Sequence, residues 1–288
     1  NKGNAENTEN KDEGEKEVDK AKKDDEEEDE RPFVLSIEQC ALISKLMDWL
    51  IDPAISFVRK KCKEVINCLD QQLAIGCMRF MESMFAEIMY KDPTIKKSRS
   101  KDEANKIELT NSKIECVFLF SLVWSVGAVT DDMGRAAFNA FLQEFMQDYK
   151  IIERPELKGV NTLLLLLEWK CPIEGTYQWE KPMPALLATK DTDNGSVYDF
   201  CYEYKTDEWK TWHDKLPTGN ISPDAEFSSI VVPNLVTAQL GQLLDLLIRY
   251  ENPTLVVGPT GTGKSVFIKE VLSHHLDQNI YKAIATSF

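Results

Sequence analysis

Positive charge is what this sequence has least to spare: 34 lysines and arginines stand against 48 aspartates and glutamates over 288 residues, a net charge of −14. Affinity for a phosphate backbone comes largely from basic side chains displacing counterions, so nucleic acid is excluded as a main partner. Histidine is scarce, at three residues. The adjacent pair His274 and His275 point to different sides of their segment, and no cysteine or carboxylate stands near them at ligand spacing, so a metal site is not expected there. The seven cysteines (Cys40, Cys62, Cys68, Cys77, Cys116, Cys171 and Cys201) contain no C-x-x-C pair and read as reduced, buried thiols of a cytosolic protein. No G-x-S-x-G nucleophile context is present. The longest nearly apolar run, Cys116 to Val129, is too short to span a bilayer and fits a buried helix, so no membrane partner is expected. The first residue is Asn and charged residues follow it, which gives no sign of a secretory or transit peptide.

What is present divides into segments of different texture. Residues 1–31 hold 7 basic and 14 acidic side chains, half of the net charge, with no apolar period; this predicts a solvated, disordered segment. Order is expected to begin at Ser36, whose partner Gln39 completes a capping-box pattern ahead of a stripe formed by Ile37, Cys40, Ile43, Met47 and Leu50. Asp52 and Pro53 read as a helix restart, N-cap and first helical residue, with the stripe continuing through Ile55, Val58, Cys62, Ile66, Leu69 and Leu73 to about Met89. Residues 91–111 are a charged connector, and the runs 116–129 and 131–148 predict two further helices. Asp131 and Asp132 sit at a helix start, where carboxylates complement the dipole.

Seven prolines between residues 155 and 233 forbid long helices and favour short strands and turns. Trp179, Trp209 and Trp212 in this stretch read as packing of a small irregular region rather than as a ligand platform. From about residue 228 the pattern changes again. A short extended run, Ser229 to Pro233, precedes an amphipathic helix over residues 236–250. Then Thr254-Leu255-Val256-Val257 reads as a fully buried parallel strand.

Directly after that run stands Gly258-Pro259-Thr260-Gly261-Thr262-Gly263-Lys264-Ser265, which satisfies G-x-x-x-x-G-K-[ST] at every defined position and is followed by a helical pattern. Glycines let such a loop turn its amides inward as an anion-binding nest, and the helix that follows adds its positive end. The pattern predicts ATP or ADP as ligand, with Lys264 on the β- and γ-phosphates and the Ser265 hydroxyl on Mg²⁺. Within residues 266–288 no acidic strand end follows: Asp277 falls in a connector, and Ile280 to Ser287 reads as a second strand without a carboxylate. The expectation is a chain that stops partway through a nucleotide-binding domain, with a Walker A motif but no Walker B, sensor or arginine finger.

Three segments, Val256 to Ser265 with the preceding Ile230-Val231-Val232-Pro233, Phe118 to Gly127, and Gly195 to Phe200 with Trp209 and Trp212, together resemble dynein heavy chains from the lid of the second AAA+ module to the nucleotide loop of the third. The resemblance runs from about Leu35 to Phe288. It implies a mixed fold: an α-helical AAA+ lid, a small β-rich linker, and the start of an α/β P-loop domain. Boundaries on this reading are 1–34 for the acidic segment, 35–150 for the lid, 151–227 for the linker and 228–288 for the nucleotide-binding part. The resemblance also implies a microtubule minus-end-directed motor of six AAA+ modules, with the third a regulatory nucleotide site. Partners would be neighbouring modules of the same chain, intermediate and light chains, and microtubules. Location would be the cytoplasm and cytoskeleton, most often the axoneme of a cilium or flagellum. By position, Val231, Val232 and Pro233 would line the adenine side, although Asn234-Leu235-Val236 follows them where the family usually has Thr and Asp.

On these residues alone the chain is expected neither to move on microtubules nor to hydrolyse ATP at a meaningful rate. One alternative is a non-enzymatic interaction protein that binds a partner through its helical bundle and acidic segment, its P-loop a vestige. An unrelated complete P-loop enzyme is disfavoured by how few residues follow Ser265.

Overall fold

The computed structural model describes residues 35–90, 108–146, 179–187, 194–216 and 234–286. Four helices form its centre: α1 (Ile37–Lys61), α2 (Asp70–Tyr90), α3 (Asn111–Ser125) and α4 (Asp132–Met146). The expected capping box opens α1: the Gln39 amide donates to Ser36 Oγ at 3.2 Å and the Ser36 amide to Gln39 Oε1 at 2.9 Å. Helix α1 then runs 25 residues without the restart expected at Asp52-Pro53, and Pro53 lies inside it. A proline there forfeits one helical hydrogen bond and costs roughly 3 kcal/mol. Leu50, Ile51, Ala54, Ile55, Phe57 and Val58 are buried on both sides of it, and their burial outweighs that local penalty.

A second correction concerns the apolar period through Ile66 and Leu69, which is interrupted. Cys62 ends α1 in an extended conformation, and residues 63–65 pair with 129–131: the Val65 amide donates to the Val129 carbonyl at 2.8 Å and the Asp131 amide to the Lys63 carbonyl at 3.0 Å. Arg59 fastens the same turn through Glu64, Asp70 and the Cys68 carbonyl.

Helix α3 is the hub, packed by both α1 and α2, and nearly every one of its residues is buried. With the 3₁₀ turn Gly127–Val129 it makes a 19-residue apolar stretch, longer than the run read from Cys116 and sufficient by length and composition to cross a membrane. Here 78% of it lies inside the protein, as expected of a core helix. Its charged residues are paired: Lys113 Nζ donates to the Glu108 carbonyl at 2.8 Å, and the Glu180 amide donates to Glu115 Oε2 at 2.9 Å. Phe57 of α1 stacks on Phe141 of α4 with centroids 4.4 Å apart.

Among its described residues the proline-rich stretch contains a hairpin, β1 (Phe200–Glu203) with β2 (Glu208–Thr211), antiparallel, pairing Phe200 with Thr211 and Tyr202 with Trp209. A two-stranded sheet is marginal by itself; this one gains cover from α3, with Trp212 fully buried 5.9 Å from Trp124 and 6.2 Å from Phe120. The tryptophans therefore pack, but in separate places: Trp179 stacks on Trp49, and Trp209 lies beside Tyr202. Leu163 to Leu167 and Ser229 to Pro233 fall outside the described residues, as does the acidic 1–31 segment.

Among the described cysteines Cys77, Cys116 and Cys201 are buried, Cys62 and Cys68 partly so, while Cys40 is exposed, against expectation. Burial pushes the Cys77 and Cys116 thiols up to about 12, which leaves them inert at neutral pH.

Candidate functional site

Helix α5 (Leu235–Arg249) leads towards the glycine loop. Asn234 caps it, its Oδ1 accepting from the Thr237 amide at 2.9 Å, and Leu243 and Leu244 are buried. The helix packs on α2 and on the 3₁₀ turn Trp212–Lys215. Its C-terminus closes in a Schellman arrangement, with the Asn252 amide donating to the Leu247 carbonyl at 2.8 Å and the Glu251 amide to the Ile248 carbonyl at 3.0 Å. Glycine usually occupies the left-handed position of that motif; here it is Glu251, at φ 59°.

The chain then runs extended through residues 254–257 into the loop. The buried parallel strand expected there is not formed: Leu255 is 75% exposed and Val257 44%. Among the described residues no strand lies beside this segment, and without inter-strand hydrogen bonds an extended segment is not a sheet member. The second strand expected from Ile280 is likewise absent over residues 280–286, where Ile284 is 83% exposed.

Gly261 and Gly263 take φ 84° and 77°, the left-handed region, and a β-carbon at either would meet nothing within 4 Å. Their glycines are thus required by backbone shape, not by crowding. Gly263 caps helix α6 (Lys264–Glu270), which passes into a π-helical turn, Val271–His275. Lys264 folds back over the loop, its Nζ donating to the Gly258 carbonyl at 2.9 Å, the Pro259 carbonyl at 2.5 Å and Thr262 Oγ1 at 3.2 Å. Thr262 in turn donates to the Pro259 carbonyl at 2.9 Å. Thr260 and Ser265 are exposed beside them.

The loop therefore brings Gly258, Pro259, Thr260, Gly261, Thr262, Gly263, Lys264 and Ser265 into one small, open cradle. Two left-handed glycines, a helix start and one ammonium fit a polyphosphate. Ser265 offers Mg²⁺ a single hydroxyl. Among the described residues no group of three His, Cys, Asp or Glu could hold a metal by itself. Against expectation a carboxylate does stand beside the histidine pair: Glu270, one turn earlier, lies 3.2 Å from His274, while His275 lies against Gly241 of α5. Val231, Val232 and Pro233 fall outside the described residues.

What ties this cradle to the helical core was not legible in the sequence. Glu87 of α2 receives Arg249 Nη1 at 2.6 Å and the Tyr250 hydroxyl at 2.8 Å on Oε2, and the Tyr204 hydroxyl at 3.3 Å on Oε1. One turn earlier, Ser83 Oγ accepts from Asn252 Nδ2 at 2.7 Å. Arg249 also holds Asp245 at 3.0 Å. Burial alone would lower the Arg249 pKa, but Glu87 and Asp245 outweigh it and hold the guanidinium above its ordinary value; burial and then the Glu87 charge push the Tyr250 hydroxyl up. A lone glutamate in the apolar run Phe85-Ala86-Glu87-Ile88-Met89 was the available signal.

Comparison with known proteins covers both parts. Residues 43–214 match the dynein heavy chain AAA lid domain, and residues 219–288 match the P-loop containing dynein motor region. The chain is similar to mouse dynein axonemal heavy chain 12, 28% identical over 254 residues, which is 88% of this chain and 7% of that protein. It is 31% identical over 227 residues to human dynein axonemal heavy chain 1, covering 78% of this chain and 5% of the relative. The sequence thus spans less than a tenth of the curated relatives it matches.

Proposed function

Because the chain belongs to the dynein heavy chain family, we propose that it is the part of such a motor that carries the lid of the second AAA+ module, the linker and the nucleotide loop of the third. Its function on this reading is to bind ATP or ADP with Mg²⁺ within the ring that drives minus-end-directed movement along microtubules. The axonemal names of the relatives favour a ciliary or flagellar motor, with neighbouring modules, intermediate and light chains and microtubules as partners of the parent protein. The lid is assigned to 35–150, the linker to 151–227 and the nucleotide-binding part to 228–288.

The observation that carries the reading is the left-handed Gly261 and Gly263 around Lys264, at the start of α6, within a region that matches the dynein motor P-loop. Lys264 would exchange its loop carbonyls for β- and γ-phosphate oxygens, Ser265 would take one place on Mg²⁺, and Val231 to Pro233 would face the adenine. The bound nucleotide supplies the phosphoanhydride whose turnover powers such rings. This chain's own residues bind and orient it.

Calorimetric titration of the purified chain with Mg-ATP should show saturable binding, weakened at least about tenfold by Lys264→Ala, as expected for loss of a charge-assisted phosphate contact. No affinity, even with the remainder of the module supplied, would favour the interaction-protein reading through the helical bundle and acidic segment. Steady turnover abolished by Lys264→Ala would overturn the non-hydrolytic assignment.

A further inference from the structure

The excursion that holds the cradle begins and ends at one place. Its entry leaves α5 at Arg249 and Tyr250, and its far end returns there, with the Tyr281 hydroxyl donating to the Arg249 carbonyl at 3.4 Å. Between these points the entry segment 254–257 is largely exposed, so the register of the loop depends on how its base is held. The base is held from α2. Glu87 grips Arg249 and Tyr250, and Ser83, on the same face one turn away, grips Asn252.

Between the gripped residues Tyr250 and Asn252 sits Glu251, in the left-handed region that a non-glycine residue enters only at a cost. Such a conformation persists where its surroundings over-determine it. Here the side chains immediately before and after it are both anchored to the same helix, and both Schellman hydrogen bonds are made.

We propose that Glu87 and Ser83 form a clamp that fixes the turn Tyr250–Asn252 and thereby positions the Gly258–Ser265 loop for phosphate, making Glu87, Ser83, Tyr250 and Asn252 positioning residues of the nucleotide site. This rests on the reading of that loop as a nucleotide cradle. The clamp reaches further through Tyr204, whose hydroxyl donates to Glu87 from the hairpin turn. Three segments distant in sequence, α2, the hairpin and the base of the loop, therefore share one carboxylate. A disturbance of any one changes the support of the others.

The test is amide hydrogen exchange on the whole chain, wild type against Tyr250→Phe, Asn252→Ala and Glu87→Gln. Tyr250→Phe removes one hydroxyl and leaves the Arg249–Glu87 pair intact, so it preserves folding even if Glu87→Gln does not. Loss of a single clamp hydrogen bond should raise exchange about three- to tenfold at the Glu251 and Asn252 amides, which make the two Schellman hydrogen bonds. Exchange in α3 should stay within about twofold, as expected of a local opening. Mg-ATP affinity should fall by a factor of the same size. Unchanged exchange at the Glu251 and Asn252 amides, an equal rise across α3, or unchanged affinity alongside raised local exchange would each overturn the proposal. If the wild-type chain binds no Mg-ATP, the nucleotide reading fails and with it the positioning role; the exchange comparison still decides whether the clamp itself exists.

Discussion

Helix α3 and the segment 254–257 are both strongly apolar, and the sequence promised a buried place to each. Only α3 has one. Ile114, Val117, Phe118, Leu122 and Val123 are fully buried, whereas Leu255 is 75% exposed. A helix satisfies its own backbone and needs neighbours only for its side chains, and α1, α2 and the hairpin supply them. An extended segment needs partners for its backbone as well, and among the described residues none stands beside 254–257. Apolar composition therefore marks a candidate for burial, and neighbouring structure decides whether it is buried.

The largest expected effect tests that contrast directly. Phe141→Ala, which empties a fully buried site stacked on Phe57, should lower stability to chemical denaturation by about 3–5 kcal/mol. Leu255→Ala should change it by less than about 0.5 kcal/mol. Comparable losses from the two substitutions would show that 254–257 is packed as tightly as the core. Next in size is the effect of ligand. Mg-ATP at one hundred times its dissociation constant should stabilise the chain by about 2.7 kcal/mol, and Lys264→Ala at the same nucleotide concentration should lose most of that gain. A denaturation midpoint that ignores Mg-ATP in the wild type would remove the functional side of the comparison.

The same contrast explains which features were legible. The capping box at Ser36, the core helix through Phe118 and Leu122, the amphipathic helix ending at Arg249 and the glycine loop are all local patterns, written in neighbouring residues. Pro53 was misread because propensity favours a restart, while tertiary burial on both sides of it decides the outcome. The break after Cys62 depends on pairing with residues 129–131, far along the chain. The two strands around the loop failed for want of partners. In the glycine loop, the expectation for Gly261, Gly263, Lys264 and Ser265 rests on spacing alone. The Glu87 clamp could not, since its partners lie more than a hundred residues away.

The smallest effect isolates the strain at the junction between the two regions. Glu251 occupies the left-handed position of a Schellman motif with φ 59°, and its side chain is exposed. Relieving that conformation with glycine gains roughly 1–2 kcal/mol in the folded state, and the greater freedom of glycine in the unfolded chain returns about 0.5–1 kcal/mol of it. Glu251→Gly should therefore stabilise the chain, by up to about 1.5 kcal/mol, measured as a shift in denaturation midpoint at constant slope. The sign is what matters. Most exposed substitutions are neutral and most glycine substitutions destabilise, so a gain can arise here only if the turn is strained as the backbone angles indicate. A loss of stability would mean that Glu251 is not held in the left-handed region in solution. The base of the nucleotide loop would then be as loosely fixed as the exposed segment that follows it.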